Sequence, residues 1–404
     1  MEKRLQVRWW DGSVIGHLVH RGTIYFVYDE VWIKRGHNLS PLSLPFNAVA
    51  FNGSKGIDGL PGLIADCLPD SWGRNVARRE FAKHKWGEPN SMSLLAWRGT
   101  RGLGALNFVP SLLEGGAGTL ESISAAALAR GAAEIQRGEP TKVLEQLAKG
   151  GTAGGAFPKT LVVAYPDGAL RVGPPDGVGA PCLLKFDLNK GESAASEHAY
   201  ALMAQVAGIR TVETRLLAEK GSAKRRHLLV KRFDIPDVKQ PERRLHFHSL
   251  SGLLHKAPGD LDYRDFFRAA IQLNSPPQEL REIARRMVFN VLASNHDDHG
   301  KNHAFLYHEE RREWSLTPAY DITYDAGMLE RGMSVSGEVW PPVATMEALC
   351  LDASLMRKEV QTIFQRVAKA LKKWPTFARQ AGLSAAKTEE IRERHRLIES
   401  RVKI

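Results

Sequence analysis

The stretch from residue 285 to residue 325 constrains the fold most, because it places a dense polar loop between two regular elements. Residues 287–292 are mostly apolar, as expected of a buried helix, and lead into the polar loop at 295–303. The residues after the loop predict a β-hairpin, in which 304–307 pairs with 314–316 across a charged turn. Since the hairpin returns the chain toward the loop, residues from both ends of the stretch are expected to meet.

Two carboxylates and one amide in this stretch suit phosphoryl transfer from ATP. Asp297 and Asn302 are five residues apart, and Asp321 follows Tyr320 beyond the hairpin. In that chemistry one Asp orients the acceptor hydroxyl, while an Asn and a second Asp hold Mg²⁺ on the phosphates. The D-x-x-x-x-N spacing, followed by a hairpin and an Asp, matches the catalytic loop and the metal-binding Asp of protein kinases.

Two other interpretations of the loop remain open on its residues alone. The first is a transition-metal site, because His and carboxylate at short spacing suit zinc or iron. The residues that would form it are His296, Asp297, Asp298, His299 and His303. The second is a solvated polar turn, since the D-x-x-x-x-N spacing is common by chance. The hairpin, the second Asp and the Gly and Lys elements upstream favour the kinase loop over both.

Composition and length predict a soluble globular protein with two or three lobes. The chain has 404 residues, of which 43% are hydrophobic and 25% charged. No apolar run approaches the roughly 18 residues of a membrane span, and the N-terminal residues lack the apolar core of a signal peptide. The three cysteines are far apart, unlike a disulfide framework. A cytoplasmic protein without membrane contact is therefore predicted.

The formal net charge of +11 predicts attraction to polyanions, nucleic acid above all. The basic residues are dispersed, and no recognition motif accompanies them. Direct reading of a DNA sequence is therefore not predicted, whereas accessory phosphate contacts within a larger complex are.

The N-terminal part predicts a small antiparallel sheet. Residues 5–35 alternate apolar and polar positions, and the steps Asp11–Gly12 and Arg21–Gly22 fit hairpin turns. The motif LPDSWGR that follows is typical of a helix start, with either Asp70 or Ser71 as the capping residue.

A glycine-rich turn and two lysines predict a nucleotide-binding small lobe. Glycines at 150–155 precede Lys159, and a second strand carries Lys185. Such a turn lets backbone N–H groups approach a phosphate, and a strand lysine can reach the α- and β-phosphates. An ordinary hairpin is the other interpretation of the turn, which is not a P-loop because no G-K-[ST] follows it. A helix at 192–207 carries Glu197, which either pairs with Lys185 or is an exposed acid.

The second half of the chain completes the predicted architecture. Residues 231–233 end a strand where a kinase hinge would hold adenine through backbone groups. Helical patterns at 261–294 and 351–404 predict a helical lobe behind the catalytic loop. We predict an α+β, bilobal protein-kinase-like fold. Its parts are an N-terminal β-rich subdomain, a kinase small lobe and a helical C-terminal lobe, at residues 1–118, 119–260 and 261–404.

Six motifs, in this order, resemble those of the HipA family of toxin serine/threonine kinases from bacterial toxin–antitoxin modules: LPDSWGR, GTAGGAFPK, LLKF, VKRFD, NHDDHGKN and TPAYD. They cover nearly the whole chain and are specific jointly. The resemblance implies ATP and Mg²⁺ as cofactors and an acceptor serine or threonine on a protein. In the best-known members the acceptor lies on an aminoacyl-tRNA synthetase, and its modification leads to growth arrest or persistence. A helix-turn-helix antitoxin that anchors the complex on operator DNA is implied as the partner.

The resemblance also implies a role for each matching residue. Asp297 becomes the catalytic base, and Asn302 and Asp321 become the metal ligands. Lys185 becomes the phosphate-binding lysine, the residues from Gly154 to Lys159 cover the nucleotide, and those from Lys231 to Phe233 form the hinge. The complete set expected to contact the nucleotide is Gly154, Gly155, Ala156, Phe157, Pro158, Lys159, Lys185, Lys231, Arg232, Phe233, His299, Gly300, Lys301, Asn302, Tyr320 and Asp321.

The glycine-rich loop departs from the family at two points. The family's autophosphorylated serine corresponds to Thr152, which is therefore either an autophosphorylated switch or a residue that caps the turn. Phe157 and Pro158 also replace the polar residues expected ahead of Lys159.

Two function classes besides the kinase remain open. One is a catalytically silent kinase-fold protein that acts as a DNA-associated partner of an antitoxin, and the other is a metal-dependent hydrolase built on the His-rich loop. The presence of Lys185, Asp297, Asn302 and Asp321 together favours the kinase.

Overall fold

The structure is a computed structural model that describes residues 4–55, 57–113, 120–150, 157–188, 192–219, 225–325 and 331–402. The chain forms two compact units. The first comprises Met1–Gly191 with Leu217–His248, and the second comprises Glu192–Leu216 with Ser249–Ile404. The division into three parts at residues 118/119 and 260/261 stays a prediction.

The first unit begins with the antiparallel sheet that the alternating N-terminal residues predict. Its elements are β1 (Arg4–Arg8), β2 (Val14–Arg21), β3 (Thr23–Tyr28), α1 (Glu30–Arg35), β4 (Phe51–Asn52), a 3-10 turn (Gly53–Lys55), α2 (Gly62–Ala65), α3 (Ser71–His84), α4 (Ser91–Arg98) and β5 (Asn107–Val109). The strand order is β4-β3-β2-β1-β5. Gly12 and Gly22 occupy the predicted turns at φ values of +88° and +77°, where a side chain would be strained.

Asp70 is the cap of α3, which resolves the choice between the two residues that the sequence offers. Its Oδ1 accepts a hydrogen bond of 2.6 Å from the backbone N–H of Gly73. Such a cap contributes about 1 kcal/mol. In the first turn of this helix, the Trp72 indole donates to the carbonyl of Lys159 at 2.7 Å. The LPDSWGR motif therefore joins this helix to a strand far along the chain.

A larger sheet completes the first unit. The next elements of the chain are β6 (Glu121–Ser122), α5 (Ala125–Gln136), α6 (Leu144–Lys149), β7 (Lys159–Ala164), β8 (Leu170–Val172), β9 (Ala180–Lys185), α7 (Ser193–Val206), β10 (Thr214–Ala218) and β11 (Arg226–Lys231). The strands lie in the order β10-β11-β9-β7-β8-β6. Residues of α3, α5 and α6 form one core with this sheet, including Trp72, Phe81, Leu128, Val162 and Leu184. Each such buried side chain contributes about 1.5–3 kcal/mol, so this core fixes β7 and β9.

The second unit contains α7 and the remaining elements of the chain, apart from residues 246–248 of β12, which belong to the first unit. The remaining elements are β12 (His246–Ser249), α8 (Leu250–Leu254), β13 (Leu261–Asp262), α9 (Tyr263–Gln272), α10 (Pro277–Leu292), β14 (Ala304–His308), β15 (Glu313–Leu316), β16 (Met333–Ser334), α11 (Val343–Asp352), α12 (Arg357–Leu371), α13 (Trp374–Ala381) and α14 (Ala385–Val402). The predicted hairpin forms between β14 and β15, with Phe305 opposite Leu316 and Tyr307 opposite Trp314.

Helix α10 is the central helix of the second unit. Ile283, Met287 and Phe289 on this helix are buried, and α10 packs against α12 and α9. Tyr200 of α7 meets Trp374 of α13 edge-on, with ring centroids 5.3 Å apart. Among the helices that the structure describes, none is long and apolar enough to cross a membrane.

Candidate active site

The polar loop begins with a sharp exit from α10. Ser294 has a φ of +56°, a left-handed conformation that costs a residue with a side chain about 1–2 kcal/mol. The fully buried Ser294 hydroxyl is 3.2 Å from His296 Nε2 and accepts a bond of 3.2 Å from Arg394 Nε. These contacts hold the turn that directs the following residues into the loop.

Asp297 is the most accessible carboxylate of the loop. Its side chain is 39% exposed, and Oδ1 lies 3.6 Å from Nε2 of His299. The backbone carbonyl of Asp297 accepts a hydrogen bond of 2.6 Å from Nδ2 of Asn302. Since that bond fixes the nitrogen of the Asn302 amide, its Oδ1 is the atom suited to a metal, and amide and carboxylate oxygens are what Mg²⁺ prefers.

Several negative charges surround Asp297. Burial raises its pKa above the usual value, and the carboxylates of Asp325, Asp321 and Asp298 raise it further, whereas His299 opposes them. A group of like charges around a half-buried carboxylate is relieved by a bound cation or by a proton. The side-chain oxygens of Asn302 and Asp321 are of the type that Mg²⁺ takes as ligands, and an ion that a nucleotide's phosphates also held would relieve this charge.

Asp321 returns to the loop by way of the hairpin. The Thr317 N–H donates to the Ala304 carbonyl at 3.0 Å, and the Tyr320 hydroxyl donates to the carbonyl of Lys301 at 2.8 Å. Asn302 and Asp321 line the same small cavity. The structure therefore brings together Asp297, Asn302 and Asp321, as predicted.

The other predicted residues of the loop are close by. His299 is half-buried and Lys301 is exposed. Gly300 has no room for a side chain, because a Cβ there would lie 2.2 Å from Leu261 Cδ1. Their contact with a nucleotide stays a prediction.

A buried polar network lies beneath the loop, and sequence reasoning did not identify it. Asp298 Oδ2 accepts bonds from Arg331 Nη2 at 2.7 Å and from the Tyr263 hydroxyl at 2.9 Å. Asn290 of α10 donates to the Tyr263 hydroxyl and accepts from Asn295. Both side chains of the Asp298–Arg331 pair are fully buried. The two consecutive acids of the loop thus have different roles, since Asp297 faces outward and Asp298 anchors the loop.

The histidines of the loop do not form a metal site. His303 is buried beside Phe266 at a ring-centroid distance of 4.8 Å, and burial holds its pKa well below the usual value. His296 packs edge-on against Trp340 at 5.0 Å. Within the described ranges no group of three or more His, Cys, Asp or Glu residues could hold a metal ion. These positions remove the basis for the transition-metal interpretation.

The residues predicted to bind phosphates from the first unit are described in part. Thr152, Gly154, Gly155 and Ala156 lie outside the described residues. Lys159 is 3% exposed, and its ammonium pairs with Asp70 at 3.2 Å.

Neighbouring residues of this group lie on the same two strands. Lys185 is the cross-strand partner of Lys159. Pro158 accepts a backbone bond of 2.9 Å from Phe186, and Phe157 is 70% exposed. Nucleotide contact by these residues, and a Lys185–Glu197 pair, stay predictions.

The predicted hinge begins with an exposed Lys231 and continues into a buried ion pair. Arg232 donates to both carboxylate oxygens of Asp234, at 2.9 and 2.6 Å. Its backbone N–H donates to the carbonyl of Pro181 at 3.0 Å. Asp234 also accepts a bond of 2.7 Å from the Gly104 N–H. The Arg232 side chain therefore holds the hinge against the 98–106 loop.

The last hinge residue, Phe233, packs edge-on against Phe247 with centroids 5.4 Å apart. Adenine is expected to bond to backbone groups of the hinge. This contact with the nucleotide stays a prediction.

The first unit contains a second hydrogen-bonded set of residues of catalytic type. The Asp66 carboxylate accepts from Nδ1 of His248 at 2.6 Å, and Nε2 of the same ring is 3.0 Å from the Ser40 hydroxyl. With Nδ1 donating, Nε2 must accept the hydroxyl proton. Ser40 and His248 are both fully buried, so a substrate cannot reach this Ser-His-Asp set.

Two family models match the chain. A HipA N-terminal domain matches residues 5–109, and a HipA-like C-terminal domain matches residues 151–375. Two curated relatives from Sinorhizobium fredii are similar. "Putative kinase Y4mE" is 24% identical over 393 residues, covering 93% of this chain and 85% of that protein. "Putative kinase Y4dM" is 27% identical over 170 residues, covering 38% and 40%.

A solved structure has the same fold. The HipA toxin of Shewanella oneidensis MR-1, determined with HipB and operator DNA, superimposes with a TM-score of 0.74 at 18% identity. The likeness covers 99% of this chain and 96% of that one.

The fold and the loop define a protein of mixed helices and sheets with a kinase-like fold, which confirms the predicted fold class. Because the C-terminal model spans more than half of the chain and the N-terminal model matches as well, the chain belongs to the HipA family.

Proposed function

We propose that this chain is an ATP- and Mg²⁺-dependent serine/threonine protein kinase that serves as the toxin of a toxin–antitoxin module. The observation that carries the proposal is the meeting of Asp297, Asn302 and Asp321 at one loop. A protein that only binds a partner has no need for this set.

Each residue of the loop has a distinct part in the proposed reaction. Asp297 orients the acceptor hydroxyl and accepts its proton, and its raised pKa makes the carboxylate a better proton acceptor. Asn302 and Asp321 would hold Mg²⁺, which neutralises the phosphate charges when it is bound. The buried Asp298–Arg331 pair keeps the loop in this arrangement. Catalysis of this kind depends on positioning and on charge more than on covalent chemistry.

The nucleotide-binding residues are proposed from the resemblance to the family. Lys185 would contact the α- and β-phosphates, the residues from Gly154 to Lys159 would cover them, and those from Lys231 to Phe233 would hold adenine. To take this role, Lys159 would have to break the ion pair between its ammonium and Asp70.

Partners and substrate are proposed from the family and from the charge. A helix-turn-helix antitoxin is the proposed partner, by likeness to the HipA–HipB–operator DNA complex. A net charge of +11 suits accessory contacts with operator DNA in such a complex. A cytoplasmic translation component, such as an aminoacyl-tRNA synthetase, is the proposed substrate, and growth arrest or persistence is the proposed outcome.

Incubation with γ-labelled ATP, Mg²⁺ and a cell lysate tests the proposal. Label is expected on serine or threonine of lysate proteins with the parent chain and not with Asp297→Asn. Asp260→Asn, the same change at an exposed turn of the second unit, is the matched control and should retain labelling. Absence of transfer by the parent chain would favour a catalytically silent partner of an antitoxin.

Thr152 is the proposed site of autophosphorylation. A phosphate there would carry nearly two negative charges and would repel the phosphates of a bound nucleotide. Mass spectrometry of the parent chain and of Asp297→Asn, each incubated with ATP and Mg²⁺, tests this regulation. Phosphate on Thr152 only in the parent supports a switch, whereas its absence from an active parent leaves Thr152 as a residue that caps the turn.

A further inference from the structure

The helical part of the second unit contains a cavity separate from the Asp297 loop. Its volume is about 270 Å³, close to the size of small-molecule sites in proteins. Leu292, Leu371 and Pro375 supply apolar lining from α10, α12 and α13. Four further lining residues lie on one face of α14, because they are spaced at i, i+3, i+4 and i+7: Arg392, His395, Arg396 and Glu399.

The charges around the cavity are unbalanced. Lys372, Arg392 and Arg396 are three cations of the lining, and Glu399 is its acid. Arg392 pairs through Nη2 with Glu389, but its buried Nε has no hydrogen-bond partner among the described residues. Cations that converge on a partly apolar cavity repel one another unless an anion lies between them. The lining therefore suits a ligand with a negative group and an apolar body.

His395 adds a neutral ring to the lining, and its Nδ1 is enclosed by protein rather than open to the cavity. Burial lowers its pKa to about 4, and the side chain is 7% exposed. The Tyr200 hydroxyl donates its proton to the carbonyl of Ala293 at 2.6 Å. Nε2 of His395, 3.0 Å from the same hydroxyl, must therefore carry the hydrogen of this second bond. Nδ1 is left as an acceptor, without a partner among the described residues.

We propose that this cavity is a binding site for a small organic carboxylate that has an apolar ring or chain. Lys372 and Arg396 bind the carboxylate, and Leu371 and Pro375 cover the apolar body. The site depends on the second unit alone and does not rest on phosphoryl transfer.

The test uses the full-length chain and equilibrium dialysis with radiolabelled benzoate, in the presence and absence of ATP and Mg²⁺. Phenol, which lacks the carboxylate, and acetate, which lacks the ring, serve as competitors. We expect retention of the label that ATP does not displace, with unlabelled benzoate competing better than phenol or acetate. Displacement by ATP, or equal competition by phenol, would overturn the proposal.

Two double variants separate the cavity from general surface charge. Lys372→Gln with Arg396→Gln removes two lining cations, and affinity should fall about tenfold, because the carboxylate loses both of its cationic partners. Lys373→Gln with Arg379→Gln removes the same charge from exposed residues outside the lining, and should keep the parent affinity. Equal affinities of the two double variants, or no retention by the parent chain, would contradict the assignment. Circular dichroism establishes that both variants are folded.

Discussion

Two sets of catalytic-type residues occur in this protein, one in each unit, and they differ in what surrounds them. In the first unit, Ser40, His248 and Asp66 have the hydrogen-bond order of a hydrolase triad. Ser40 and His248 are fully buried, and hydrogen bonds join the hydroxyl to the imidazole and the imidazole to the carboxylate. In the second unit, Asp297 keeps 39% of its side chain exposed among like charges.

The comparison teaches that geometry alone does not define an active site. Buried polar groups that satisfy one another stabilise a fold, since an unpaired member would cost about 1–3 kcal/mol. A reacting group must instead be reachable and must keep an unsatisfied charge or lone pair for the substrate. By this criterion Ser40–His248–Asp66 is structural, whereas Asp297 meets the requirements of its proposed role.

The largest expected effect belongs to Asp297. Asp297→Asn should reduce phosphoryl transfer by about 10²–10⁴-fold, the range for loss of a general base. The melting temperature should stay close to that of the parent, because the side chain is outside the core. Transfer from γ-labelled ATP and calorimetry measure the two quantities. Unchanged transfer would show that Asp297 does not have its proposed role. A large loss of stability would show that its side chain has a structural role, as the Ser40–His248–Asp66 set has.

Arg331→Met comes next and tests whether the loop also has a structural part. The change leaves the buried Asp298 carboxylate without its cation, which should lower the free energy of unfolding by about 3–5 kcal/mol. Arg311→Met, at an exposed pair with Glu313, is the control and should cost less than about 1 kcal/mol. Denaturant unfolding provides both values. Similar small losses in both variants would mean that the network does not anchor the loop.

Asp321→Ala should have an intermediate effect, which is confined to the Mg²⁺-dependent binding of ATP. The Mg²⁺-dependent part of ATP affinity should fall roughly 10- to 100-fold, as when a group that supports a metal site is removed. ATP titrations with and without Mg²⁺ measure that part, and affinity without Mg²⁺ should change little. An identical Mg²⁺ dependence in variant and parent would exclude Asp321 as a ligand.

The smallest effect is expected in the first unit. Ser40→Ala removes the hydroxyl that His248 Nε2 accepts from, and should lower the free energy of unfolding by about 1–3 kcal/mol. Phosphoryl transfer by the folded variant should equal that of the parent. Loss of phosphoryl transfer without loss of stability would show that the buried set takes part in the reaction. The conclusion that this set is structural would then be wrong.

Sequence reasoning found the features that depend on near neighbours. Gly12 and Gly22 mark turns, α3 is capped by one of the two residues that the sequence offered, Asp70, and the hairpin of β14 and β15 forms with the predicted pairing. The meeting of Asp297 with Asn302 follows from a short spacing in one loop. These features are local, so backbone geometry and periodicity suffice to predict them.

The features that were missed depend on partners far apart in the chain. Asp298 meets Arg331 across 33 residues, and Asp66 meets His248 across 182 residues. Two adjacent acids such as Asp297 and Asp298 carry no local sign of which one is buried. Only tertiary packing selects the buried one, and a single sequence does not contain that information in a local pattern.

The Ser40–His248–Asp66 set has a consequence for synthesis of the protein. Ser40 and Asp66 precede His248 by 208 and 182 residues, and at roughly 5–20 residues per second the ribosome needs about 10–40 s to supply the histidine. Until then, neither Ser40 nor Asp66 can form its hydrogen bond with His248. Because the last part of the first unit follows an excursion of the chain into the second, the first unit cannot complete its fold on the nascent chain until residue 248 has emerged.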